Sequence, residues 1–577
     1  MWAYPITSLH IQYWSLLSAL LIVGYAMYRT VWLASLRTAM RKLSQRPWLC
    51  ATVIAGTSLL LNVLFAAIRF PLPWVHDEYS YLLAADTFAN FRLSNPAHPL
   101  WEHFESFHIL ASPSLVSKYP PGNGLALALG QLLTGYPIVG VWLSLMAAQV
   151  ATYWMLRAWT SPQWALVGGL ALAVHAPMLR AWGQSYWGGA VAMLGGALLF
   201  GALRRLWTKP TVGNGVLLGV GVVTLANTRP AEGFLTCLPV AVMLLYWLFR
   251  SEFLLREKLV RVGIPAIAVG MVGLTLMGVY NLATTGDWAT MPYQLHDKTY
   301  SASSLLIWKP QPEVPEYNHV QMEQFYTGIG RVRQLELRDS EAYWANLARK
   351  TYLLWEFFPL GLGIGLLALP LVIYRDRWMQ FAVVVLCMIF TIESQLATSW
   401  MFPHYLAPVA ALFYAVNVEG LRRLFLLGSK SAATVKPADT QRSAVALPSS
   451  NSGRWSPGGL VCRALLLSLV IKLGANVLAW TGPTRPHARQ QVLAKAELDE
   501  QSNHLIIVSY SPEHSLHDEY VYNGADIDNS HVVWARDMGP EKNERLIQYF
   551  SDRKIWRWHV ADDDTASWER VTSPQSL

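Results

Sequence analysis

Val75–His76–Asp77–Glu78–Tyr79–Ser80–Tyr81 follows directly on a long apolar run, residues 50–70. A helix needs about 20 apolar residues to cross the hydrocarbon of a bilayer. Two neighbouring carboxylates therefore stand where a membrane-crossing helix leaves the lipid. Charge there is costly unless water, a partner or a substrate meets it. The stretch thus marks both a membrane fold and a candidate site at the membrane edge.

Composition agrees with a membrane fold. Of 577 residues, 53% are hydrophobic and 14% charged, against about 25% charged in soluble domains. Mean hydropathy is +0.27. The 26 Trp and 25 Tyr residues suit rings placed at two membrane interfaces. The net charge of +8 is scattered among short loops. No compact basic stripe interleaved with aromatics marks a nucleic-acid surface. The cysteines Cys50, Cys237, Cys387 and Cys462 lie in or beside apolar runs, with no CxxC and no zinc spacing. The start of the chain lacks the basic region of a signal peptide, so the first apolar run is expected to be retained.

About twelve membrane spans are expected, near 11–33, 49–69, 138–158, 163–179, 187–203, 213–228, 232–249, 262–283, 353–374, 378–397, 404–427 and 458–480. The loop after the first carries Arg37, Arg41, Lys42 and Arg46. Placed in the cytoplasm, it puts the basic loops near 204–209, 250–261, 375–377 and 422–442 on the same side. The short loops opposite, near 180–186, 229–231 and 398–403, carry only Arg180 and Arg229. Residues 70–137, 284–352 and 481–577 then lie outside. The expected organisation is a membrane module over 1–427, a Ser/Ala/Pro/Thr-rich cytoplasmic linker over 428–457, a last span over 458–480 and an extracytoplasmic tail over 481–577. The tail reads as a small α/β domain. Helices are expected over 489–501 and 541–550, and strands over 504–509, 532–534 and 554–560. Within the first loop, 122–133 is apolar but too short to span, as an interfacial helix would be. The fold class is an all-α polytopic membrane protein with a small C-terminal α/β domain.

Several polar residues gather on the outer side. Asp77 and Glu78 are expected to end the second span. Lys118 precedes Pro120–Pro121 at the far end of the same loop. Arg229 and Glu232 stand in Asn227–Thr228–Arg229–Pro230–Ala231–Glu232–Gly233, and His404 and Tyr405 in Phe402–Pro403–His404–Tyr405. A carboxylate can take a proton from an acceptor hydroxyl. Lys and Arg can neutralise a departing phosphate. Each residue also has a plainer role. Asp77 could cap a helix, and Glu78 could be a second acid or a solvated neighbour. Lys118 could snorkel to the interface, Arg229 could satisfy helix carbonyls, and Glu232 could offset a helix dipole. His98, Glu102, His103, Glu105 and His108 fall within eleven residues. They could hold a divalent metal, but a polar interfacial segment explains them as well and HExxH is absent. His517–Asp518–Glu519–Tyr520 repeats the letters of His76–Asp77–Glu78–Tyr79. In a tail away from any span, this echo reads as chance.

With those residues in view, the chain resembles the GT-C superfamily of polyprenyl-phosphate-sugar-dependent glycosyltransferases. It is most similar to bacterial relatives of protein O-mannosyltransferase and lipid A aminoarabinose transferase. The resemblance rests on Asp77–Glu78 with Tyr79 and Tyr81 after a span, and on the long loop ending at Lys118–Tyr119–Pro120–Pro121–Gly122. The short helix after that loop and the Arg229–Glu232 turn add to it. It covers roughly 48–300, with weaker support to about 427. It implies inverting transfer of a sugar from undecaprenyl or dolichyl phosphate to a lipid, glycan or protein acceptor. Transfer would take place outside the plasma membrane (in bacteria, the inner membrane). Asp77 would act on the acceptor, with Glu78 beside it, and Lys118 and Arg229 would meet the donor phosphate. Tyr81, Tyr119, Glu232, His404 and Tyr405 would be candidate substrate contacts. No cofactor is required. Two features depart from the family pattern: 182–188 contains no acid, and the α/β tail is not a general family feature. A transporter or flippase of lipid-linked sugars is the main alternative, with His175, Glu393 and Lys472 as its near-membrane ionisable groups. A scaffold binding a partner through the tail is another.

Overall fold

The computed structural model describes residues 31–304, 306–358, 368–374, 376–393, 402–426, 457–480 and 497–571, with a few more near 18–23 and 490–495. Among them, five helices are long and apolar enough to cross a membrane: Pro47–Ile68, Pro137–Trp159, Pro230–Arg250, Leu255–Thr285 and Gly459–Leu478. Pro162–Ala173 and Ala176–Gly183 form a sixth if counted as one span broken by 55°. The expected spans near 187–203, 213–228, 378–397 and 404–427 appear as Ala190–Leu206, Val212–Ala226, Arg377–Thr391 and Ala407–Leu426, which do not meet that length and composition test. The expected span 11–33 falls mostly, and 353–374 partly, outside the described residues.

Two of these helices, Ala190–Leu206 and Ala407–Leu426, sit inside the bundle rather than around it. Ala190–Leu206 is buried on nearly every side, against Pro137–Trp159, Val212–Ala226 and Ala407–Leu426. A helix enclosed by helices can be apolar all round. Close approach there depends on small residues. A Cβ at Gly196 would lie 1.8 Å from the Pro408 carbonyl oxygen.

Asp77 and Glu78 do not end the second span. That helix stops at Ile68, and Pro71 and Pro73 lie in the extended segment that follows. The two acids open a new helix, His76–Ala89, in its first turn. There they face the positive end of the helix dipole. The segment between this helix and Lys118 holds a small antiparallel sheet of Asn95–Pro96, Ser114–Ser117 and Ile109–Leu110, with Ser114–Ser117 in the middle. The apolar helix expected near 122–133 is Pro121–Thr134.

The tail forms a four-stranded sheet in the order Val532–Arg536, His504–Tyr510, Lys554–Val560, Ala566–Arg570. The first three strands are parallel and the last is antiparallel. Only the last strand was not expected. Alternate residues face two cores. Ile506, Val508, Trp534 and Trp558 pack with Leu498 and Tyr520 on one side. Leu505, Ile507, Val533 and Ala535 pack on the other with Leu546 and Phe550. That second core also contains Leu83, Phe104, Ile109 and Leu115 from the first loop. The tail sheet and the first loop therefore share one apolar core.

Candidate active site

Asp77 is the partly exposed member of the pair, with its side chain 26% accessible. The Tyr119 hydroxyl donates to its Oδ1. His108 Nε2 stands 4.0 Å from its Oδ2. Lys118 Nζ donates to the other nitrogen of that ring, His108 Nδ1, at 2.7 Å. A cation donating to Nδ1 makes Nδ1 the acceptor, so the neutral imidazole carries its proton on Nε2, towards Asp77. Burial, with Lys118, His76 and His296 close by, holds the His108 pKa well below the usual histidine range. Burial also lowers Lys118, against the opposing pull of Asp297 and Asp77. Tyr119 is pushed well up by burial and by Asp77, so it remains a donor.

Local structure sets this chain of contacts. Ile109 pairs with Ser117 across the small sheet, which brings His108 opposite Lys118. The Lys118 N–H donates to the His108 carbonyl at 3.2 Å. Ser80, on the Asp77 helix, donates to the same carbonyl at 2.6 Å, and its hydroxyl lies 2.7 Å from that of Ser117. His108 adopts a left-handed backbone with φ 62°. Among non-glycine residues this conformation is uncommon and favours Asn, Asp and His.

Glu78, open in the sequence between a second acid and a solvated neighbour, is not solvated. It is 1% exposed and accepts backbone N–H groups from Trp74 (2.5 Å), Val75 (3.1 Å) and Tyr186 (2.8 Å). Burial pushes its carboxyl up to about 7, against the lowering effect of those three donors. Reaching back to the Val75 N–H, Glu78 forms the carboxylate half of a capping box. It also ties the helix start to the loop after the broken span.

Arg229 precedes Pro230–Arg250 and pairs with Glu232 at 3.1 Å. Its guanidinium lies over the Tyr405 ring, 5.0 Å from the centroid, and within electrostatic reach of Tyr81 and Tyr119. Tyr81 and Tyr119 stack with centroids 4.5 Å apart. His404 is 4% exposed and packs on Trp187, with centroids 4.6 Å apart. Gly122 joins the Arg229 turn to the Lys118 loop: its N–H donates to the Asn227 carbonyl at 2.8 Å. A Cβ there would meet Thr228 Cγ2 at 2.5 Å and Asn227 O at 2.7 Å. Asp77, Lys118 and Arg229 thus lie around one aromatic cluster.

The His-rich stretch is dispersed instead of forming a cage. His98 pairs with Asp528, His103 bonds the Arg536 carbonyl, and Lys542 pairs with Glu102. Glu105 accepts from Tyr300 and Asn318. Among the described residues, no group of three His, Cys, Asp or Glu side chains could hold a metal ion.

Two groups at the site were not expected there, His108 and Asp297. A hairpin signal points to His108: the apolar pairs Ile109–Leu110 and Leu115–Val116 flank Ala111–Ser112–Pro113. Asp297, in the helix Pro292–Tyr300 of the second large loop, carries no local signal. Of the groups a transporter would use, His175 lies at the break between the two bent helices, 2.9 Å from the Tyr414 hydroxyl.

The fold is similar to that of ArnT from Cupriavidus metallidurans bound to undecaprenyl phosphate, with a TM-score of 0.50 and 14% identity over 88% of this chain and 92% of that one. The apo state of the same protein gives 0.48 and 14% over the same shares. The archaeal oligosaccharyltransferase AglB from Archaeoglobus fulgidus, in complex with an inhibitory peptide and a dolichol-phosphate, gives 0.46 and 11% over 90% of this chain and 74% of that one. No family model and no curated protein sequence matches the chain. The protein thus shares the fold of ArnT over most of its length.

Proposed function

We propose that this protein is an inverting glycosyltransferase that moves a sugar from a polyprenyl-phosphate donor to an acceptor hydroxyl at the outer membrane edge. The observation that carries the reading is the gathering of Asp77, Lys118 and Arg229 around one aromatic cluster. Asp77 is oriented by Tyr119 and faced by His108. The lipid chain stays in the bilayer while its phosphate reaches Lys118 and Arg229. Asp77 takes the proton of the acceptor hydroxyl as that oxygen attacks the anomeric carbon. The bond from that carbon to the phosphate oxygen breaks on the opposite face. Its electron pair stays on the phosphate, where the two cations stabilise the growing charge. Glu78, saturated with backbone donors, holds the turn and has no step in the chemistry.

The undecaprenyl phosphate bound to ArnT of the same fold supports a lipid phosphate as donor. Pro121–Thr134 supports an interfacial placement. Leu125, Leu129, Leu132 and Leu133 are exposed on one face, and Gly124, Leu127 and Ala128 pack on the other. The broken helix with buried His175 is a feature transporters use, and it keeps lipid-sugar transport as the second reading.

Membranes holding wild type or Asp77→Asn, supplied with labelled undecaprenyl-phosphate sugars, test this. Wild type is expected to transfer label and Asp77→Asn to lose at least about 100-fold in rate. Wild-type rates in a folded Asp77→Asn protein would defeat the assignment. Translocation of the labelled lipid by wild type without transfer would favour the transporter.

A further inference from the structure

The second His-Asp-Glu-Tyr sequence, in the tail, packs against the first. His76, Tyr79, Leu83 and Asp86 follow one another at helical spacing and form one stripe of the Asp77 helix. All four meet the tail. His76 Nδ1 lies 2.7 Å from the Tyr522 hydroxyl, and its ring stacks on His517 with centroids 5.9 Å apart. Tyr79 lies flat on Tyr522, with centroids 3.9 Å apart and planes within 3°. Leu83 shares an apolar cluster with Tyr522, Ala525 and Ile527. Asp86 accepts the Ala525 N–H at 2.7 Å. The tail segment is itself firmly held. Arg536 and Glu519, each 1% exposed, pair at 2.7 Å, and Arg536 also donates to the Glu105 carbonyl at 3.1 Å.

We infer that the C-terminal sheet domain positions the Asp77 helix, that Tyr522 is the positioning residue, and that efficient transfer requires 517–527 docked along that helix. The inference rests on Asp77 being the base. Tyr522 acts through His76 and Tyr79, the first on each side of Asp77–Glu78. The helix start is then clamped from two directions, by Glu78 on the bundle side and by Tyr522 on the tail side. Releasing one clamp lets the Asp77 carboxylate leave its line with Tyr119 and His108, and small misplacements of a reacting group are costly in rate. The tail is on this view part of the site, not a separate binding module.

The test uses the full-length protein in lipid nanodiscs, with Tyr522→Phe, Tyr522→Ala and Asp77→Asn. Amide hydrogen exchange over 76–86 and transfer from the labelled undecaprenyl-phosphate sugar that wild type uses are both read. Tyr522→Phe keeps the stack on Tyr79 and loses the hydroxyl. It should lower kcat about tenfold, and Tyr522→Ala about a hundredfold, with donor KM unchanged. Exchange over 76–86 should quicken in the same order. A tail that only stabilises the fold would lower the yield of folded protein and leave kcat per folded molecule at the wild-type value. That result, or wild-type exchange in Tyr522→Ala, overturns the inference. If Tyr522→Ala does not fold, Tyr522→Phe decides by the same two readouts. Transfer retained by Asp77→Asn removes the base assignment instead, and the exchange measurement still judges the docking.

Discussion

Asp77 and Glu78 are neighbours with the same chemistry, and their surroundings separate them. Asp77 keeps an accessible carboxylate with one phenol donor and an imidazole at 4.0 Å. Glu78 is enclosed and spends both oxygens on three backbone N–H groups. The two residues should therefore fail differently. Glu78→Gln can accept from two of those donors but turns its own NH₂ on the third. It should lose roughly 1–3 kcal/mol of stability, the usual cost of an unsatisfied buried polar group, while transfer per folded molecule stays near wild type. Asp77→Asn should keep stability and lose transfer. Thermal unfolding beside the transfer assay checks both, and a stable but inactive Glu78→Gln would return Glu78 to the chemistry. The sequence left Glu78 open because a carboxylate next to another carries no sign of which one will be buried. His108 was visible as one of a row of histidines, but its partner Lys118 is set by strand pairing.

At the scale of elements, the site depends on how loops meet. Ile109–Leu110 and Ser114–Ser117 are strands of two and four residues, too short for an alternating pattern to be read with security. They nevertheless set Lys118 against His108. Gly122 does the same for the Arg229 turn. Gly122→Ala would force its Cβ against Thr228 and the Asn227 carbonyl. Overpacking of this kind costs about 1–3 kcal/mol. Because the change separates Lys118 from Arg229, it should raise the KM for the lipid donor more than it lowers kcat. Steady-state kinetics with varied donor would show this, and an unchanged KM would mean that the two cations do not act on one phosphate. The helices themselves were easier to anticipate. Apolar runs located Pro47–Ile68, Pro137–Trp159 and Pro230–Arg250 closely. The acids went to the wrong helix because the break at 69–75 interrupts an almost continuous apolar stretch.

Across the whole molecule, the first loop, the second loop and the tail form one body around buried histidines. Burial lowers His98, His103, His108, His296 and His319 from 6.5, His296 to about 4 and His319 to about 3. A histidine lowered in the folded state adds stability above its unfolded value and loses it as pH falls through the folded value. Glu78 and Glu105 are raised by burial and act in the opposite sense: their contribution is present at low pH and lost as pH rises, for Glu78 towards about 7. With five histidines against two carboxylates, acidification from about 6.5 towards about 4 should loosen the loop–tail body. Hydrogen exchange of the tail strands at the two ends of that range measures it, and stronger protection at the acid end would show that the carboxylates dominate. The sequence by itself determined the membrane class, most helix positions, the tail strands except the last, and the candidate acid and basic residues. Apolar runs and alternation are local, and each residue reports on its near neighbours along the chain. Only the tertiary structure decided which acid stays accessible, that His108 links Lys118 to Asp77, and that Tyr522 rests on the Asp77 helix. Those outcomes depend on hydrogen bonds and ring contacts between residues far apart in the chain, and on which polar groups the shared core removes from water.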